Sequence, residues 1–126
     1  MLLDDLQRLV PQVIDRKKQF LREEFGSDLG YPIKGVVVVG SVAERRERSG
    51  SDIDVYLLLN GEWDAEDFLG ELTEELSKTT NRNDLYIDKI GTVRLDRGQS
   101  FTPDTWPGVE RGKEYTHSGY EVIKVD

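Results

Sequence analysis

Two short apolar runs in the first half of the chain most strongly constrain its fold. Four consecutive valines, Val36–Val39, lie between Gly35 and Gly40, and β-branched residues bounded by glycines are typical of a buried strand. A second run, Asp52–Leu59, ends in three leucines and precedes a turn-forming Asn-Gly pair. Both runs predict strands, so the chain is expected to contain a sheet.

Helical periodicity is found on both sides of these runs. Apolar residues recur every three or four positions from Leu2 to Phe25, which predicts an amphipathic helix. Pro11 lies inside this pattern and either kinks one helix or opens a second one. Another helix is expected from Asp64, as its N-cap, to about Lys78. The inward face of that helix is predicted to consist of Phe68, Leu69, Leu72 and Leu76.

The second half of the chain predicts further strands and a loop-rich tail. A third strand is expected around Leu85–Ile90, and residues 91–95 either continue it or begin a fourth strand. In the tail, 98–126, a last strand is expected at 120–125, at the edge of the sheet. Segment 101–109, with its two aromatic residues, is a candidate flap or partner contact. This order of elements predicts an α+β fold, a small mixed sheet flanked by helices, in a single domain of residues 1–126.

Composition excludes several classes of function. The 126 residues include 25 acids and 17 bases, and the net charge of −8 disfavours a protein that coats nucleic acid. Cysteine is absent, which excludes disulfides, thiolate metal sites and cysteine nucleophiles. The single histidine, His117, cannot supply a multi-histidine zinc site. Neither a membrane span nor a signal peptide is recognised in the sequence, so a cytoplasmic protein is expected.

The residues most suited to chemistry are Asp52 and Asp54. Strand alternation places both side chains on one face, while Ile53 faces the other way. Two carboxylates so close together repel each other unless a cation lies between them, and Mg²⁺ prefers carboxylate ligands. The alternative is an ordinary strand with two exposed aspartates, although aspartate is depleted in strands. Gly40 and Ser41, directly after the valine run, offer backbone N–H groups and a hydroxyl to phosphate oxygens.

The segment Gly40–Val55 resembles the signature of the polymerase-beta-type nucleotidyltransferase superfamily. Its pattern is Gly-Ser, ten residues, and then Asp-x-Asp, which is most similar to the minimal nucleotidyltransferases. Ala43 and Ser51 also fit this pattern. The order of helices and strands extends the resemblance to about Val36–Ile90. A nucleotidyltransferase-like fold is therefore expected.

The loop of residues 44–51, here called the motif loop, departs from the family pattern at Glu44 and Arg45, where many members have Arg-Gly. The missing glycine removes conformational freedom, and Glu44 would either repel a triphosphate or hydrogen-bond within the loop. Arg45, Arg46 and Arg48 are candidate contacts for phosphate or for a partner. A solvated charged surface is an equally good interpretation of these three arginines.

The resemblance also implies the roles of the site residues. Asp52 and Asp54 would be catalytic metal ligands, completed by a third carboxylate from a neighbouring strand. Asp84 and Asp88 are both candidates, because strand alternation puts them on one face. Asp88 is favoured because it lies nearer the middle of the expected strand. The residues expected to bind the nucleotide are Gly40, Ser41, Ser51 and Arg45.

The function that the resemblance implies is metal-dependent nucleotidyl transfer. Two Mg²⁺ ions, or Mn²⁺ in their place, would assist the transfer of a nucleoside monophosphate from a triphosphate, with ATP as the expected donor, to a hydroxyl group. A HEPN-type toxin is an implied protein partner, adenylylated by the nucleotidyltransferase as its antitoxin. One alternative is a non-catalytic nucleotide- or metal-binding module of the same fold. Another is a nucleotidyltransferase that acts on RNA or on a small molecule.

Overall fold

The computed structural model describes residues 2–27, 30–47, 52–98 and 120–125. These segments form three α-helices, four strands and one 3₁₀ turn. In chain order the elements are α1 (Leu2–Phe25), β1 (Ile33–Val39), α2 (Gly40–Ala43), β2 (Ile53–Leu59), α3 (Glu66–Thr80), β3 (Ile87–Arg94), the 3₁₀ turn (Leu95–Arg97) and β4 (Tyr120–Lys124).

The four described strands make one mixed sheet in the order β3-β2-β1-β4. Strand β1 is antiparallel to both β2 and β4, whereas β2 and β3 are parallel. A parallel pair needs a crossover connection, and α3 supplies it between β2 and β3. The predicted α+β fold with a small mixed sheet is confirmed, and β4 lies at the edge of that sheet as expected.

Buried residues lie on both faces of the sheet, which explains why the valine run does not alternate with polar residues. Residues Val36 and Val38 belong to the main core, between the sheet and the helices α1 and α3. Their neighbours Val37 and Val39 belong to a second buried cluster on the opposite face. A strand that is covered on both faces is expected to have a continuous apolar sequence. The other members of the second cluster are Tyr56, Leu58 and Val93.

Helix α1 continues without interruption through Pro11. Proline removes one intrahelical hydrogen bond, but Val10, Val13 and Ile14 around it are fully buried. Packing of this apolar face stabilises the helix more than the local preference of proline destabilises it. The sequence left open whether Pro11 lies within one helix or opens a second one, and the structure has one helix.

The boundaries of the later elements differ slightly from those predicted. In α3 the N-cap position is Ala65, although Asp64 still accepts a hydrogen bond from the backbone N–H of Glu66 at 3.0 Å. The helix ends at Thr80, two residues beyond the expected end. Strand β3 runs to Arg94, so residues 91–94 continue the third strand rather than begin a new one.

Several predictions concern residues outside the described segments. These are Arg48, Ser51, His117 and the candidate flap 101–109. The organisation of the chain as one domain also stays a prediction. No helix within the described segments has the combination of length and apolar character that crossing a bilayer requires.

Candidate active site

Two carboxylates are brought side by side by the parallel pairing of β2 with β3. Asp54 on β2 is in direct register with Asp88 on β3. Neighbouring strands lie about 4.8 Å apart, and residues in register share one face of the sheet. On its other side Asp54 is paired with Val39, the last residue of β1. Both aspartates are partly exposed, so the two charged residues lie next to each other where solvent reaches the paired strands β1, β2 and β3.

Gly40 lies directly beside this pair of carboxylates. Its φ of 73° belongs to the left-handed region, which glycine adopts without strain. A Cβ atom at this position would be 3.7 Å from Oδ2 of Asp54. The missing side chain therefore leaves space next to the carboxylate, and Ser41 follows in the short helix α2. The structure thus brings Gly40 and the second aspartate of the Asp-x-Asp sequence together.

Asp52 lies one residue before β2 and is exposed. The next residue, Ile53, donates its backbone N–H to the carbonyl of Tyr86 at 2.9 Å, so strand pairing begins here. Within the described segments, no group of three or more Asp, Glu or His side chains is close enough to hold a metal ion. The side-by-side carboxylates are thus those of Asp54 and Asp88, and Asp52 does not form a three-carboxylate cluster with them.

Asp84 occupies a different environment from Asp88. It precedes β3 by three residues, and its two carboxylate oxygens accept hydrogen bonds from Nε and Nη2 of Arg82, each at 3.1 Å. Such a bidentate pair fixes the carboxylate through charge-assisted hydrogen bonds. Asp84 lies outside the residues of β3 that pair with β2, whereas Asp88 is one of them. The register with Asp54 therefore favours Asp88 as the third carboxylate.

The motif loop departs from the family pattern at the turn that directly follows α2. Arg45 has a φ of 59°, a left-handed conformation that glycine usually occupies at the end of a helix. The N–H of Arg45 donates to the carbonyl of Val42 at 3.1 Å, and that of Arg46 donates to Ser41 at 2.7 Å. These two hydrogen bonds are those of the Schellman motif. The position where the family pattern has glycine is thus left-handed in this chain, with arginine in its place.

The charged side chains of the motif loop contact the protein itself. Nη1 of Arg45 lies 2.9 Å from the carboxylate of Asp4 at the start of α1. Glu44 pairs with Arg46 at 2.7 Å, so this acid interacts within the loop, one of the two alternatives considered for it. Glu47 accepts a hydrogen bond from the backbone N–H of Leu2 at 3.2 Å. A phosphate-binding role for Arg45 stays a prediction. It would require Arg45 to leave Asp4, and an exposed ion pair of this kind is worth at most about 1 kcal/mol.

Substituting glycine for Arg45 is expected to raise the free energy of unfolding by ~0.5 kcal/mol. A left-handed conformation costs an L-residue about 1–2 kcal/mol, and its relief exceeds the value of one exposed ion pair with Asp4. Urea denaturation of Arg45→Gly measures the difference. The control, Asp4→Asn, removes the ion pair but keeps the strained backbone and should be slightly destabilising. A loss above ~1 kcal/mol in Arg45→Gly would contradict this account.

A cleft beside Asp88 contains residues that the sequence analysis did not assign to the site. Its volume is about 320 Å³, and Tyr86 and Lys89 line it together with the start of α3. Tyr86 is largely exposed, which is unusual for an aromatic residue beside a buried strand. The alternation of residues 84, 86 and 88 was the available signal, because it places Tyr86 on the same face as the acids.

A sheet with paired carboxylates beside a Gly-Ser turn is the arrangement expected of a nucleotidyltransferase. The sequence profile of the Nucleotidyltransferase domain family matches residues 14–100 of this chain. The match covers more than half of the chain, including Gly40, Asp54 and Asp88. The chain therefore belongs to this family, which confirms the resemblance seen in Gly40–Val55.

Among solved structures, the chain is similar to one described as "Crystal structure of the toxin-antitoxin with AMP-PNP". The sequence identity is 18%, the TM-score is 0.34, and the alignment covers 61% of this chain and 56% of the other. The matched region thus spans little more than half of that neighbour. Comparison with curated protein sequences gives no match.

Proposed function

We propose that this nucleotidyltransferase uses Mg²⁺ to transfer a nucleoside monophosphate from ATP to a hydroxyl group of a protein. The observation that carries the proposal is the direct register of Asp54 with Asp88, beside Gly40. The donors fit a divalent cation, because Asp52, Asp54 and Asp88 offer oxygen atoms alone, which Mg²⁺ prefers. Two neighbouring carboxylates are also mutually repulsive unless a positive charge lies between them.

In the proposed reaction, Asp88, Gly40 and Asp54 have separate roles. An acceptor hydroxyl attacks the α-phosphorus, the bond to the leaving pyrophosphate breaks, and the hydroxyl proton passes to a base. We assign that base to Asp88, a partly exposed residue in direct register with Asp54. Gly40 leaves room for the phosphate groups beside Asp54. When bound, Mg²⁺ offsets the charge of the triphosphate and lowers the pKa of the acceptor hydroxyl.

A protein acceptor is favoured over RNA by the charge of the chain. Its net charge of −8 repels a polyphosphate backbone, because nucleic-acid affinity depends on neutralising phosphates with basic residues. A cleft of about 320 Å³ with an open side also admits a macromolecular surface next to Asp88. The more specific proposal, a HEPN-type toxin as acceptor, is supported by the similarity of the Gly-Ser…Asp-x-Asp sequence to minimal nucleotidyltransferases.

Transfer of label from α-³²P-ATP in the presence of Mg²⁺ tests this proposal, with Asp88→Asn and Asp84→Asn as a matched pair. We expect Asp88→Asn to lower the rate by at least ~10²-fold, since it removes a direct participant, and Asp84→Asn to change it by no more than a few-fold. Unfolding midpoints of both variants should stay close to that of the parent protein.

The reverse order of the two variants would transfer the role of the third carboxylate to Asp84. The acceptor is examined in the same assay by adding purified HEPN-type proteins as candidate acceptors. Efficient labelling of a free small molecule by the protein alone would contradict a protein acceptor. Substituting labelled GTP, CTP or UTP shows whether ATP is the preferred donor.

A further inference from the structure

A second cleft lies at the end of the sheet opposite the paired carboxylates. Tyr31 just before β1, Trp63 after β2, and Phe20 and Leu21 of α1 line it, and its volume is about 430 Å³. Strand β1 runs its seven residues from this end towards Gly40, so the cleft and the active site are roughly 20 Å apart. Nucleotidyl transfer at Asp54 and Asp88 makes no use of this cleft. We call it the aromatic cleft.

The rings of the aromatic cleft are held in place yet accessible. Trp63 is 51% exposed and Phe20 is 56% exposed, whereas Tyr31 between them is buried. The ring centroids of Tyr31 and Trp63 are 6.1 Å apart with planes at 76°, a favourable edge-to-face geometry. Burial, reinforced by nearby carboxylates, raises the pKa of Tyr31, which stays neutral. Adjacent exposed aromatic rings on a rigid support are typical of the anchoring pockets of protein interfaces.

The same cleft continues into a groove of negative charge along α3. Lys17 at the boundary lies 2.6 Å from Asp67 and 2.6 Å from Glu71. Desolvation lowers the pKa of Lys17, but the hydrogen bonds to these two acids outweigh it and leave the pKa raised. The charge of Lys17 is thus compensated, while the side chain of Asp67 remains 78% exposed. The acids lining the groove are Glu66, Asp67, Glu71, Glu74 and Glu75. The bases Arg16 and Lys78 also line it and pair with Glu71, Glu74 and Glu75, so the groove keeps an excess of acids over bases rather than a row of unpaired carboxylates.

We propose that the aromatic cleft and the acidic groove together bind a basic amphipathic helix of a partner protein. One large apolar side chain of that helix would enter the cleft between Phe20 and Trp63, and its lysine or arginine residues would lie along the carboxylates of α3. A groove next to two packed helices, α1 and α3, suits a third helix, and apolar anchors flanked by complementary charge give such docking its specificity.

Charge selects this occupant over the other candidates. Nucleic acid is repelled because acids outnumber bases in the lining of the groove. A second copy of the chain, with a net charge of −8, is repelled as well. The inference does not depend on the transfer chemistry, because neither Gly40, Asp54 nor Asp88 lines the cleft or the groove. Only Glu66 lines both the groove and the cleft beside Asp88, and it is left unchanged in the test below.

A displayed library of random 16-residue peptides tests the proposal. Peptides are selected on the parent protein after removal of those that bind Trp63→Ala. We expect the recovered sequences to carry a net positive charge and a large apolar residue. By calorimetry, a consensus peptide should bind Trp63→Ala and Phe20→Ala at least tenfold more weakly than it binds the parent protein. It should bind the double variant Asp67→Asn, Glu74→Gln several-fold more weakly. Phe25→Ala is the matched control, since Phe25 is 75% exposed on α1 outside the cleft.

The opposite outcomes overturn the proposal. It is wrong if no peptide is enriched, if the enriched peptides are acidic, or if the consensus peptide binds Phe20→Ala as tightly as the parent protein. It is also wrong if sedimentation shows a dimer that Trp63→Ala converts to a monomer, because the occupant is then a second copy. Phe20→Ala keeps the test valid should Trp63→Ala fail to fold. Mg²⁺-dependent ATP binding by the Phe20→Ala variant, measured by calorimetry, separates this result from a failure of the proposed function.

Discussion

Replacing Asp54 by asparagine is expected to abolish nucleotidyl transfer while leaving the fold intact. Asp54 is in register with Val39 on one side and with Asp88 on the other, so its carboxylate lies at the centre of the candidate active site. Asparagine has the same shape but no charge, and it cannot offset a divalent cation. Loss of groups that merely support a metal ligand costs about 10–100-fold in affinity or activity, so a loss above ~10²-fold is expected here.

Two measurements separate a chemical role of Asp54 from a structural one. Calorimetric titration with ATP should show Mg²⁺-dependent binding by the parent protein and its loss in Asp54→Asn. The matched control is Asp15→Asn, the same change at an exposed position of α1. It should bind and transfer as the parent does. Equal Mg²⁺-dependent binding by Asp54→Asn and the parent protein would show that the metal site is wrongly assigned.

The strands that carry this site were predictable because their signals are local. Val36–Val39 and Asp52–Leu59 are apolar through most of their length, and a strand buried on both faces has that sequence. The effect of Pro11 on α1 was not predictable in the same way. Its outcome depends on how α1 packs against the sheet and α3, and single-sequence periodicity carries no information about that packing energy.

The choice between Asp84 and Asp88 shows a further limit of local patterns. Strand alternation has a period of two, so residues separated by four share a face and periodicity cannot distinguish them. What distinguishes them is the register of β3 against β2, a pairing between segments more than thirty residues apart. The pairing of Asp84 with Arg82 likewise became visible in the structure.

The aromatic cleft was missed for a related reason. Tyr31 and Trp63 are separated by the whole of β1, the motif loop and β2, and neither has a neighbouring residue that signals a binding site. They meet because antiparallel pairing places Ile33 opposite Leu59, so the start of β1 and the end of β2 lie together. The acids therefore lie at one end of this antiparallel pair and the aromatic rings at the other.

Substituting alanine for Gly35 is expected to lower the free energy of unfolding by ~3 kcal/mol or more. Gly35 has a φ of 150° at an irregularity in the pairing of β1 with β2. A Cβ atom there would lie 1.9 Å from the carbonyl oxygen of Ile123 and 2.9 Å from its carbonyl carbon. Those atoms are backbone, so relief requires β4 to move away from β1. The backbone strain alone costs about 1–3 kcal/mol, and exposure of Ile123 adds to it.

Gly70→Ala is the matched control, because it adds the same methyl group to a helix. Gly70 lies in α3, is exposed, and would have no atom within 4 Å of the new Cβ. Alanine is favoured over glycine inside helices by about 1 kcal/mol, so this variant should be more stable than the parent protein. Urea denaturation thus predicts shifts of opposite sign for the two variants. If both shift in the same direction, or if Gly35→Ala loses less than ~1 kcal/mol, then the close packing of β4 on β1 is not what stabilises this edge of the sheet.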